Sequence, residues 1–120
     1  MTAEDFRRIA LALADAVEAS HGGHPDFRVG KKIFATLGHP DAGYGMVKLM
    51  PEQQAVVVAV EPDIFTPVPG GWGRRGSTYV RLAAADAATL ESALTMAWRN
   101  VAPPAVLKRR DGARRAPKPR

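Results

Sequence analysis

Apolar residues near the start of the chain recur with helical spacing. Phe6, Ile9, Ala10, Leu13, Ala14 and Val17 form one stripe and predict a helix over residues 2–18. Thr2 is placed to cap it, with Asp5 standing in for the capping-box glutamate, and His21-Gly22-Gly23 ends it. The period then shortens. Asp26 to Val29 and Ile33 to Leu37 flank Gly30-Lys31 and predict a hairpin, and Tyr44 to Met50 predicts a third strand beyond a turn at 38–43. Gly-His-Pro-Asp occurs at 23–26 and again at 38–41, which reads as repeated turn chemistry. Residues 51–61 read both ways. Val56-Val57-Val58 favours a strand, whereas Pro51-Glu52-Gln53-Gln54 resembles a first helical turn. A short strand fits Ile64 to Val68, a glycine loop Gly70 to Gly76, and a clear strand Ser77 to Leu82. Asp86 can cap a last helix to about Ala102, with Ala87, Leu90, Leu94, Ala97, Trp98 and Val101 as its stripe and Pro103-Pro104 as its stop.

With 120 residues the chain is expected to form one domain. It has no cysteine, which excludes disulfides, thiolate metal sites and thiol catalysis. The first residues are acidic and polar rather than a signal peptide, and the longest apolar run, Ala55 to Val60, is too short to span a bilayer. The expectation is a cytoplasmic protein with no membrane partner. The net charge of +5 is unevenly held. Residues 1–102 hold 10 Lys/Arg and 11 Asp/Glu, whereas residues 103–120 hold seven basic residues and one acid. The body is near neutral, and the basicity belongs to a tail at 104–120 that lacks periodicity and is expected to be disordered. On that reading its removal leaves the melting temperature unchanged.

The run His24-Pro25-Asp26-Phe27-Arg28-Val29-Gly30-Lys31-Lys32-Ile33-Phe34-Ala35 resembles the signature of the MmcQ/YjbR-like family. Pro69 to Gly76, Val80-Arg81-Leu82, and Trp98 with Val101-Ala102-Pro103 are also similar to that family, so the resemblance covers roughly residues 1–103. It implies an α+β fold: helix, three strands, helix, two strands, helix, with the helices on one face of an antiparallel sheet of about five strands. It makes 51–61 a helix whose valines pack inward. It also implies a DNA-binding-like protein, by analogy of fold alone.

The string Gly71-x-Gly73-x-x-Gly76 matches a dinucleotide fingerprint, but a strand follows it where the fingerprint needs a helix. It reads instead as a flexible loop carrying Trp72, Arg74 and Arg75, an aromatic among cations suited to clamping a polyanion. His21, His24, Asp26 and His39 read as turn residues rather than metal ligands, and no cofactor is expected. Ser20, Ser77 and Ser92 lack the context of a nucleophile, so no catalysis is expected. Alternation points Phe27, Val29, Ile33, Ala35, Leu37, Val47, Leu49, Val80 and Leu82 inward. It points Arg28, Phe34, Thr36, Lys48, Tyr79 and Arg81 outward, a mix of cations and aromatics that nucleic-acid binders use. The tail adds Lys108, Arg109, Arg110, Arg114, Arg115, Lys118 and Arg120, which would bind phosphates by counterion release. The sequence therefore points to a small non-enzymatic protein, monomeric or weakly dimeric, that binds DNA or another polyanion. The alternative is a protein-interaction module, chaperone-like or dimeric, using the open sheet face.

Overall fold

A computed structural model describes residues 1–38 and 41–115, with the side chains of 110–115 outside the description. The elements are α1 (Ala3–Leu11), β1 (Val17–His21), β2 (His24–Val29), β3 (Lys32–Leu37), β4 (Tyr44–Lys48), α2 (Pro51–Val60), β5 (Phe65–Pro67), α3 (Gly71–Arg74), β6 (Ser77–Arg81), α4 (Ala87–Val101) and α5 (Pro104–Arg115). The six strands form one antiparallel sheet in the order β1-β2-β3-β4-β6-β5. Helices α1 and α4 pack on one face of it, so the α+β architecture expected from the sequence is present with one strand more.

The extra strand lies where a long first helix is expected. Thr2 and Asp5 do form a capping box, and Phe6, Ile9 and Ala10 are buried. The helix stops at Leu11, however, and Asp15 turns the chain with a positive φ of 58°. The indole Nε1 of the fully buried Trp98 donates to the Ala14 carbonyl at 2.9 Å, which ties this turn to α4. The chain then runs on as β1, with Val17 55% exposed instead of buried on a helix face. Gly22-Gly23 is the two-residue turn of the β1–β2 hairpin, both glycines at positive φ, and His21 pairs across to His24. Hence His24-Pro25-Asp26 belongs to strand β2 rather than to a turn; the second Gly-His-Pro-Asp includes His39 and Pro40, which lie outside the described residues.

A bulge corrects the facing of two more residues. Phe27 pairs with Ala35, yet Arg28 pairs with Ile33, so Phe34 is the extra residue on β3. Phe34 is consequently buried in the core, and Ile33 lies on the open face. Val29, Leu37, Val47, Leu49, Val80 and Leu82 face the core as alternation predicts. On β4, Gly45 lies beneath the Phe6 ring, where a Cβ would come within 2.5 Å of the ring edge.

Residues 51–60 are helical, with Pro51 in the first turn and the Gln53 side chain accepting from the Met50 amide at 2.8 Å. The inward packing of its valines is only partial. Val57 and Val58 touch the core, whereas Val56 is 61% exposed and Val60 70%. The chain beyond Pro103 also departs from the expectation of disorder. Pro104–Arg115 is helical, Val106 is buried, and Arg109 pairs with Asp15. Residues 116–120, including Lys118 and Arg120, lie outside the described residues. Among the described residues, no helix is long and apolar enough to cross a membrane.

Candidate cleft on the open sheet face

The sheet face opposite α1 and α4 is walled rather than bare. After β5 the chain climbs through Val68-Pro69 into α3, then drops into β6. This excursion makes one side of a cleft of about 500 Å³ whose lining includes Ile33, Thr36, Met46, Lys48, Ser77 and Tyr79 from the strands and Trp72 from α3. His21 closes it toward β1.

The wall is held by backbone proximity. A Cβ on Gly73 would sit 1.6 Å from the Val68 carbonyl oxygen, and one on Gly76 1.9 Å from that of Leu49. Only glycine permits those approaches, and Gly76 also has a φ of +112°. The glycines thus fasten a built wall, which corrects the reading of 70–76 as a flexible loop. From α2, the Gln54 Nε2 lies within hydrogen-bond distance of the Gly73 carbonyl at 3.0 Å, the Ser77 carbonyl at 3.0 Å and the Thr78 hydroxyl at 3.2 Å. At the neighbouring corner Asn100 of α4 donates to the Lys48 carbonyl at 3.0 Å.

At the mouth stands Trp72, 59% exposed. The Lys48 ammonium lies 6.0 Å from its ring centroid and the Arg75 guanidinium 5.1 Å, both within cation–π range. Lys48, Trp72 and Arg75 were expected to be site residues, and the fold brings them together from β4 and the α3 region. Arg74 sits on α3 beside Trp72, and exposed.

Other expected site residues lie apart. Arg28 is on the open face, but its guanidinium is engaged by the buried Asp26 carboxylate, with Nε to Oδ1 at 2.7 Å and Nη2 to Oδ2 at 3.0 Å. His21 Nδ1 meets the same carboxylate at 2.7 Å. The hydrogen bond from Arg28 holds Asp26 below the usual carboxylate range against the opposing effect of burial, with His21 adding to the lowering. Arg81 is at the far end of β6, where its Nε donates to the Asp63 carbonyl at 3.1 Å. Lys108 and Arg109 are on α5, the latter paired with Asp15. Arg110, Arg114 and Arg115 lie on the same helix, their side chains outside the described ones.

Sequence reasoning missed His21, Met46, Val68 and Pro69 as lining residues. The Gly-Gly turn was the available signal for His21, since such a pair between two short runs marks a hairpin. The others depend on which strands neighbour one another. The cleft floor holds one further feature: Thr36 is 2% exposed, and its Oγ1 has no hydrogen-bond partner among the described residues.

An antiparallel sheet backed by helices, with a cleft between its open face and a glycine-fastened wall, defines a small α+β open-sheet protein. A family model described as YjbR matches residues 11–100, and the chain belongs to that family. Its fold is similar to the crystal structure of Deinococcus radiodurans protein DR2400, described as a DUF419 domain. The two align with a TM-score of 0.71 and 18% identity over 90% of this chain and 86% of that one, a likeness of fold alone. No curated protein sequence matches.

Proposed function

We propose that this cytoplasmic, non-enzymatic protein binds nucleic acid with the end of the sheet where the cleft opens. The observation that carries the reading is the convergence of Lys48 and Arg75 on the exposed Trp72 ring. An exposed aromatic with flanking cations suits a base with its phosphates. Arg74, Lys31 and Lys32 lie at the same end of the strands and add to its positive charge.

Fluorescence anisotropy with a labelled 12-nucleotide DNA tests it across a salt series. Neutralisation of about five phosphates on a single strand, at about −0.7 each, gives a slope of log K on log salt of about −3.5. Absence of binding at 50 mM salt, or binding indifferent to salt, would overturn the reading. A second reading, a protein-interaction module on the open face, is supported by the apolar Ile33, Met46, Val68 and Pro69 in the cleft. It requires salt-resistant association or a dimer in size-exclusion chromatography.

A further inference from the structure

We propose that the cleft receives one unstacked nucleobase, with Thr36 on its floor and Trp72, Lys48 and Arg75 at its mouth, so that the bound nucleic acid is single-stranded. The inference rests on the nucleic-acid reading above and adds to it the form of the ligand.

Thr36 is the first support. A buried hydroxyl left without a partner costs about 1–3 kcal/mol. The Oγ1 of Thr36 is in that state, on a face where the side chain lines the cleft. A hydroxyl both donates and accepts, so it can meet either kind of group on the edge of a base. Its surroundings suit a flat ring: Ile33, Met46, Val68 and Pro69 are apolar, and Tyr79 is aromatic. The volume, about 500 Å³, lies within the range of pockets that enclose small organic groups.

The mouth is the second support. Trp72 offers a stacking surface carried on a backbone that is already fixed, because Gly73 and Gly76 are pressed on carbonyl oxygens and Gln54 holds the wall from behind. Little loop freedom then remains to be lost on binding. Lys48 and Arg75 lie over the Trp72 ring, and when a base stacks there these two cations would move off the ring to the phosphates beside it. In a duplex the bases are paired and stacked, and one reaches a recessed floor only after being extruded, at a cost of a few kcal/mol. A single strand avoids that cost.

The test compares three labelled probes at one low salt concentration: a thymidine 12-mer, an abasic 12-mer with the same phosphates, and a 12-base-pair duplex. Unlabelled thymidine monophosphate serves as competitor. The thymidine strand should bind at least tenfold more tightly than the other two. Trp72→Ala should weaken it about 5- to 150-fold, the equivalent of one lost stacking contact, and leave the abasic strand within twofold. Trp72→Leu repeats the measurement with more of the side chain kept. Thr36→Val should weaken the thymidine strand about fivefold while its melting temperature holds or rises, since the substitution removes a buried orphan hydroxyl. A purely structural Thr36 would give the stability result without the binding result.

If the thymidine and abasic strands bind equally and both substitutions are silent, the base-in-cleft inference falls while the salt-dependent reading stands. If neither strand binds, both fall. Thymidine monophosphate competing as tightly as the strand would assign the cleft to a free nucleotide and overturn the assignment to a strand.

Discussion

At one end of the sheet the chain turns from β2 into β3, leaves β4 and enters β6. Lys31, Lys32, Lys48, Arg74, Arg75, Lys108 and Arg109 gather there, against Asp15 and Glu52. At the other end β3 leads toward β4, β5 begins and β6 finishes. That end carries Asp41, Glu61, Asp63 and Asp86, and Glu4 and Asp5 join it because the Met1 amino group donates to the Leu82 carbonyl. Its cations are largely engaged, Arg8 with Asp5 and Arg81 with the Asp63 carbonyl. A body of nearly balanced charge is therefore polar along its strands. Net charge by itself hides this, because it adds the ends together.

The ends also differ in how tightly their turns are built, and the largest expected effect exploits that. Gly76→Ala at the basic end forces a side chain into a positive φ and onto the Leu49 carbonyl. The expected cost is more than about 3 kcal/mol, as strain and overpacking act together. Gly43→Ala at the acidic end meets only ordinary contact, 3.5 Å from the Asp41 carboxylate, and should stay within about 0.5 kcal/mol. Denaturant titration of the two variants compares them directly. Equal losses would show that the wall of the cleft has no special rigidity.

Next in size is removal of α5. A chain ending at Pro103 exposes the site of Val106, which is buried at 7% exposure, and frees Asp15 from Arg109. Burial of one valine is worth about 1.5–2 kcal/mol, so the melting temperature should fall by about 6–16 °C. An unchanged melting temperature would return α5 to the status of a loosely attached tail.

That reversal illustrates what was legible in the sequence. The stripes of α1 and α4 were readable because each buries a continuous row, Phe6-Ile9-Ala10 and Leu90-Leu94-Ala97-Trp98. β1 was not. It is an edge strand whose residues are exposed or half-exposed, so it has no apolar alternation to separate it from the helix before it. The inversion of Ile33 and Phe34 comes from a bulge, and strict period-two counting cannot register an extra residue. Among the described side chains of α5, Val106 is buried and Leu107 half-buried, too little apolar surface to make a stripe among basic residues. Of the cleft, Trp72, Arg75 and Lys48 were legible as an aromatic and its cations. The unpartnered state of Thr36 was not, because it depends on what three neighbouring strands put around one oxygen.

The third prediction concerns pH. Asp26 on the open face is held below the usual carboxylate range chiefly by its hydrogen bond from Arg28. At the acidic end Asp5 and Asp86 are lowered chiefly by backbone hydrogen bonds at helix caps. Depressed folded-state values mean that each carboxylate stabilises the fold fully above its unfolded pKa, about 3.9. The contribution is lost as pH falls through the lower folded value. Stability should therefore be flat near neutrality and decline below about pH 4. Asp26→Asn should cost about 2 kcal/mol at pH 7, since it removes the charge from hydrogen bonds to a guanidinium, and the deficit should shrink as the parent is acidified. A deficit independent of pH down to pH 2 would show that the loss is one of packing.

The smallest effect is expected from charge changes at the acidic end, and it bears most directly on the comparison. Strands of five residues separate the ends by roughly 17 Å, at about 3.3 Å per residue. The screening length at physiological salt is about 8 Å. Glu61→Lys with Asp63→Lys, both exposed, should then change affinity for a DNA strand less than about twofold at physiological salt, although the net charge shifts by four. Arg81 keeps its contact in these variants, because it uses the Asp63 backbone carbonyl. Lys48→Gln and Arg75→Gln change the net charge by only two, yet each should reduce the salt slope on a single strand by about 0.7. The ordering is opposite to what total charge predicts. If the acidic-end pair strengthens binding as much as the cleft pair weakens it, recognition follows the charge of the whole chain, and the end of the sheet around Trp72 has no privileged role.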